Sequence, residues 1–172
     1  MSFRQFQESF VVMGVAGCGK SSLGAACAEQ LGMVLVEGDA FHSQASLDKM
    51  QSGVPLSDAD RATWLAVLAE QLAKSGGGIV LTCSALRRAY RDQLRLRSPG
   101  LRFVFLDLSE RDSRARVAAR QGHVFPASLV ASQFATLENP RGEPGVLALD
   151  AMRPLGELRA EVCHWLTESG KE

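Results

Sequence analysis

The stretch that most constrains the fold is Gly14-Val15-Ala16-Gly17-Cys18-Gly19-Lys20-Ser21, followed by Ser22 and an alanine-rich segment. Gly14, Gly19, Lys20 and Ser21 stand at the spacing of a phosphate-binding loop. Such a loop needs glycine because the chain must curl until successive N–H groups converge on phosphate oxygens. It needs a buried strand before it, here the apolar run Phe10–Met13, and a helix after it whose N-terminal dipole favours anions. In that frame Gly14, Val15, Ala16, Gly17, Cys18, Gly19, Lys20, Ser21 and Ser22 are expected to line a nucleotide site. Lys20 is expected to reach the β- and γ-phosphates of ATP, and the Ser21 hydroxyl to ligate Mg2+. Cys18 reads as a small filler inside the loop.

The rest of the chain alternates in the manner such a loop requires. Met33–Val36, Ile79–Thr82, Arg102–Leu106 and Val146–Leu149 are further short apolar runs, the signature of strands covered on both faces. Between them the pattern predicts helices over Lys20–Leu31, Asp60–Lys74, Leu86–Arg97, Glu110–Gln121, Pro126–Leu137 and Leu155–Glu168. This order implies an α/β fold, a doubly wound five-stranded parallel sheet flanked by helices, of the nucleoside-monophosphate-kinase-like P-loop kind. The 172 residues fit one domain, 1–172, with a mobile lid around 116–136. Ligands of such sheets lie beyond the carboxyl ends of the strands.

Composition narrows the function classes. The formal net charge is +0, so no global field draws the chain to nucleic acid or an anionic membrane. Ten arginines stand against four acids between Arg87 and Arg120, which suggests bidentate phosphate or carboxylate recognition. Aromatic residues are sparse in that stretch (Tyr90, Phe103, Phe105), which argues against base stacking and a nucleic-acid role. Cys18, Cys27, Cys83 and Cys163 are scattered without metal or redox spacing, and no run reaches membrane-span length. A soluble cytoplasmic protein is expected. No Asn-Lys-x-Asp guanine reader exists, since the sole asparagine, Asn139, precedes proline.

On the acceptor side, the second strand leads into Glu37-Gly38-Asp39-Ala40-Phe41-His42. Asp39 is expected at the carboxyl edge of the sheet, where a carboxylate can orient or deprotonate an attacking hydroxyl. His42 is a weaker candidate beside it. Arg116 and Arg120, four apart, share a helix face, and Ser109 with Asp112 forms a capping-box-like start to that helix. His123 follows Gly122, where the helix is expected to break into the lid, and joins the acceptor-facing candidates.

Several blocks are more specific than the loop itself. Gly38–His42, Lys49-Met50-Gln51-Ser52-Gly53-Val54-Pro55-Leu56, Asp58–Leu65, Cys83–Asp92, Ala119–His123 and Gln133-Phe134-Ala135-Thr136-Leu137-Glu138 together resemble the gluconokinases. The resemblance runs from the loop to about Pro154. It implies transfer of the ATP γ-phosphate to the 6-hydroxyl of D-gluconate, giving 6-phosphogluconate and ADP, in a homodimer. It implies that Arg116 stacks near the adenine, that Arg120 meets the transferring phosphate, and that the loop 150–154 flanks the adenine. Lys49, Arg61, Arg87, Arg88 and Arg91 are the cations available for the sugar-acid carboxylate. Ser43, Ser46 and Thr63 stand where the family commonly has proline, asparagine and proline. The alternative is a kinase of the same fold acting on another small acid or polyol such as shikimate.

Overall fold

The structure is a computed structural model and describes residues 8–74, 76, 78–120 and 126–168. In chain order its elements are β1 (Phe10–Met13), α1 (Lys20–Leu31), β2 (Val34–Glu37), a single 3-10 turn (Gly38–Phe41), α2 (Gln44–Gln51) and α3 (Asp58–Lys74). There follow β3 (Ile79–Thr82), α4 (Arg88–Arg97), β4 (Arg102–Asp107), α5 (Glu110–Ala119), α6 (Ala127–Thr136), β5 (Val146–Asp150) and α7 (Leu155–Glu168). The five strands form one parallel sheet in the order β2-β3-β1-β4-β5. This is the expected doubly wound α/β architecture.

Strand alternation divides the core in two. Phe10 and Val12 face the layer of α1 and α7, with Leu23, Cys27, Val162 and Leu166. Val11 and Met13 face the layer of α3 and α4, with Leu65, Leu68, Tyr90 and Leu94. β1, the central strand, is buried throughout, which explains its unbroken apolar run. Chain order reverses about β1, so the crevice at its carboxyl end is the topological switch point, and the glycine-rich loop opens there.

Helix ends follow local chemistry. α1 stops at Gly32, which turns left-handed at φ 65° and returns its N–H to Ala28 and Glu29 carbonyls. α3 begins two residues earlier than the apolar pattern predicts. Ser57 Oγ accepts from the Asp60 N–H at 3.1 Å while Asp60 accepts from the Ser57 N–H at 3.0 Å, a reciprocal capping box. α4 begins at Arg88, later than predicted, and α5 ends at Ala119. α2 was not anticipated by apolar periodicity because it is short and polar. Ser43 caps it, its hydroxyl accepting from the Ser46 N–H at 3.1 Å. The two serines that depart from the family pattern therefore serve one another, since their hydroxyls also lie 3.1 Å apart.

All four cysteines are buried and free of disulfides. Among the described residues no helix is long and apolar enough to cross a membrane. Tyr90, Phe103 and Phe105 are all buried in the core.

Candidate functional site

The loop after β1 holds its shape through side chains as well as glycines. At Gly14, φ is 147° and a Cβ would press on Cys18 Sγ and the Leu106 carbonyl, so glycine alone fits. Val15 and Cys18 are buried beneath the loop, and Cys18 is the packing residue the sequence suggests. Lys20 Nζ folds back on the loop, donating to the Gly14 carbonyl at 2.9 Å and the Val15 carbonyl at 3.2 Å. Ser21 and Ser22, in the first turn of α1, are exposed at the sheet edge. The middle of the loop is gripped from outside. Ala16 N–H donates to Gln133 Oε1 on α6 at 2.7 Å, and Ser113 Oγ on α5 donates to the Ala16 carbonyl at 2.7 Å. Arg116 Nη1 donates to the Gly17 carbonyl at 3.0 Å, and its Nη2 reaches the Ala151 carbonyl and Met152 Sδ, each at 3.3 Å. Arg116 thus lies between the loop and the residues following β5.

Across the crevice, β2 delivers two carboxylates. Glu37 Oε2 accepts from Ser21 Oγ at 3.0 Å and from Thr82 Oγ1, at the end of β3, at 2.5 Å. The sequence reading gave a role to Asp39 and none to Glu37. The signal was present, for acids two apart at a strand end both reach the carboxyl edge. Gly38 between them packs so closely that a Cβ would overlap the Thr82 carbonyl. Asp39 projects from the 3-10 turn with an 84% exposed side chain. Its pKa is lowered, first by the His42 imidazole beside it and then by the charges of Lys20 and Arg120, against an opposing desolvation. The side chain is open to water, so that desolvation comes from the walls of the crevice around it. The charges of Lys20 and Arg120, the two cations expected to act on the phosphate, thus both bear on Asp39. Arg120 is exposed at the end of α5.

His42 supports this carboxylate from behind. Its ring stacks on Trp64 at 4.2 Å between centroids, and Nε2 stands 3.6 Å from Asp39 Oδ1. Nδ1 is buried with no partner among the described residues. Trp64 Nε1 donates to the Gly38 carbonyl at 2.8 Å, so one indole braces both the turn and the imidazole. Trp64 is a second residue the sequence reading passed over.

The basic candidates separate into distinct groups. Arg61 Nη1 donates to the Tyr90 hydroxyl at 3.3 Å, and that hydroxyl donates to Asp58 Oδ1 at 2.7 Å. Arg87 Nη1 lies 4.0 Å from Asp58 Oδ2 and is half-exposed. Lys49 is already paired with Asp60 at 2.7 Å. Arg88 turns along its own helix toward Asp92, 3.8 Å away. Arg91 does not belong with them. It is fully buried, and its guanidinium donates to Glu143 at 3.1 and 2.6 Å, to the Ala85 carbonyl at 2.7 Å and to the Glu138 carbonyl at 3.0 Å. With its fork spent on the protein interior it has no reach to a ligand, which corrects its expected role in acceptor binding. It also steadies Ala85, a non-glycine residue at φ 46°, where the chain turns from β3 into α4. His123 lies outside the described residues.

Comparisons with known proteins bear on the fold and the family. A family profile described as an AAA domain matches residues 10–140. A gluconokinase from Gluconobacter oxydans is 49% identical over 141 residues, covering 80% of this chain and 79% of that protein. The thermosensitive gluconokinase of Escherichia coli is 40% identical over 161 residues, covering 91% of this chain and 86% of that protein. A crystal structure of a gluconokinase from Sinorhizobium meliloti superposes with a TM-score of 0.88 at 48% identity, covering 96% of this chain and 94% of that one.

Proposed function

This chain belongs to the gluconokinase family of P-loop kinases, and from that premise we propose that it moves the ATP γ-phosphate to the 6-hydroxyl of D-gluconate through Lys20, Asp39 and Arg120. The observation that carries the residue roles is the Asp39 carboxylate at the β2 edge, with the charges of Lys20 and Arg120 acting on it. Asp39 is held ionised at neutral pH, so it accepts the hydrogen bond of the attacking hydroxyl and aims its oxygen at the phosphorus. As the oxygen–phosphorus bond forms and the bond to the ADP oxygen breaks, the hydroxyl proton passes to Asp39. Lys20 leaves its loop carbonyls for the phosphate oxygens, and Arg120 meets the charge spread over the equatorial oxygens. Arg116 holds the nucleotide at its base end. The lid expected around 116–136 includes residues 121–125, which lie outside the described residues.

Magnesium fits the residues present. Ser21 Oγ and Glu37 Oε2 are hard oxygen donors already 3.0 Å apart, which suits an ion that keeps waters and takes few protein ligands. Ser21 would ligate it and Glu37 would hold one of its waters, and the ion would neutralise charge on the β- and γ-phosphates. Arg61 and Arg87, gathered by Tyr90 and Asp58, are the cations best set to read the gluconate carboxylate. The working unit is a cytoplasmic homodimer, a reading supported by the family resemblance. Light scattering that returns the mass of one chain overturns the dimer.

The test is catalytic efficiency for gluconate, glucitol and shikimate at saturating ATP and magnesium. Glucitol offers a similar hydroxyl but no anion to pair with these partly exposed cations, and an ion pair of that kind contributes up to about 1 kcal/mol. Gluconate is therefore expected to lead by about fivefold. Parity with glucitol removes the carboxylate reading, and preference for shikimate removes the acceptor assignment.

A further inference from the structure

We propose that Gln133 is a positioning residue of the phosphate loop, acting through the Ala16 amide. This rests on the kinase reading above only in taking the loop to bind phosphate. The side-chain carbonyl of Gln133 accepts the Ala16 N–H at 2.7 Å from a helix 117 residues along the chain. The Ala16 carbonyl is held at the same time by Ser113, whose side chain lies on α5 and is fully buried. Both polar groups of Ala16 thus face outward, on side chains from two helices, instead of toward the anion. A second amide, that of Cys18, is spent on the Val15 carbonyl at 3.2 Å. Among the described residues, the amides of Val15, Gly17, Gly19, Lys20, Ser21 and Ser22 carry no such tie and are left for phosphate oxygens.

A glycine-rich loop has many shapes of similar energy, and only one presents those amides together. Fixing Ala16 on both sides selects that shape before the nucleotide arrives, so binding need not bear the ordering cost. Gln133 sits one turn before Leu137 and Glu138, and the Glu138 N–H is tied to the Leu86 carbonyl at 2.7 Å. Its own helix is anchored at that end, which gives the clamp a fixed base.

The experiment uses the full chain with Gln133→Leu, Ser113→Ala and the double variant. ADP affinity is measured by calorimetry without acceptor, and melting is measured without nucleotide. Gln133→Leu is expected to weaken ADP about five- to tenfold, the effect of one hydrogen bond. Its KM for gluconate is expected to stay within twofold. Because both side chains act on one residue, the double variant is expected to lose less than the product of the single losses. Gln133→Asn, one methylene too short to reach, is expected to match Gln133→Leu and serves should the leucine variant not fold. A lowered melting temperature with unchanged ADP affinity makes Gln133 merely structural and overturns the proposal, as do fully multiplicative losses or two variants that do not fold. If the wild-type chain ignores gluconate while Gln133→Leu still loses ADP affinity, the acceptor assignment falls and the clamp stands.

Discussion

Asp39 and Glu37 differ by two positions and by their whole chemistry. Asp39 faces water and has its pKa lowered by His42, Lys20 and Arg120, so it is ionised across the neutral range. Its folded-state pKa lies below the ordinary value, so the ionised form is lost only as pH falls through that lowered pKa. The acid limb of the rate profile is expected below the usual aspartate range, and an acid limb near neutrality would remove Asp39 from the mechanism. Asp39→Asn is expected to lower kcat by about a hundredfold to ten-thousandfold while ADP still binds. Glu37→Gln keeps the shape but weakens the partner of Ser21. It is expected to raise the magnesium requirement about ten- to a hundredfold, the scale seen when groups behind a metal ligand are removed. A magnesium titration of the variant checks this. The loop residues were legible because phosphate chemistry fixes their spacing. Glu37 could be placed at the same edge as Asp39 but its partners Ser21 and Thr82 could not, and Trp64 was hidden altogether because His42 and the Gly38 carbonyl, which define it, are distant in sequence.

At the scale of elements, the acceptor side depends on how α3 starts. Ser57 and Asp60 cap it, and Lys49 from α2 closes on Asp60. Ser57→Ala is expected to cost about 0.5–2 kcal/mol, read from denaturant unfolding. The Lys49 hydrogen bond, then the two from Ser57, lower the Asp60 pKa to about 2. A carboxylate with a depressed folded pKa adds stability that is present above its unfolded pKa and lost as pH falls through the folded one. The deficit of an Asp60→Asn variant is therefore expected to shrink between about pH 4 and pH 2, and a deficit independent of pH in that window removes the Asp60 carboxylate from the cap. The strands were readable because burial on both faces leaves an unbroken apolar run. α2 was not, since a short polar helix carries no apolar stripe and is set by Ser43 at its start. The arginine-rich middle read as one cluster, yet α4, β4 and α5 carry its members to different layers. One of them, Arg91, goes to the interior.

For the whole molecule, the buried pair of Arg91 and Glu143 joins α4 to the turn before β5 at 2.6 Å. Arg95 adds a contact to the same carboxylate at 3.0 Å and lies over the Phe103 ring at 4.7 Å. Arginine cannot shed its proton, so deleting the carboxylate strands a charge in the core. Glu143→Ala is expected to destabilise the fold by about 3–5 kcal/mol, measured by urea unfolding, whereas a surface pair would move it by less than about 1 kcal/mol. The same pair sets an order of events during synthesis. When Arg91 is added to the chain its counter-charge is still 52 residues from being made. At about 5–20 residues per second the nascent α4 waits for seconds with no way to seat that guanidinium. The nucleotide loop, complete long before, thus belongs to a chain that cannot close its core until the turn before the last strand emerges.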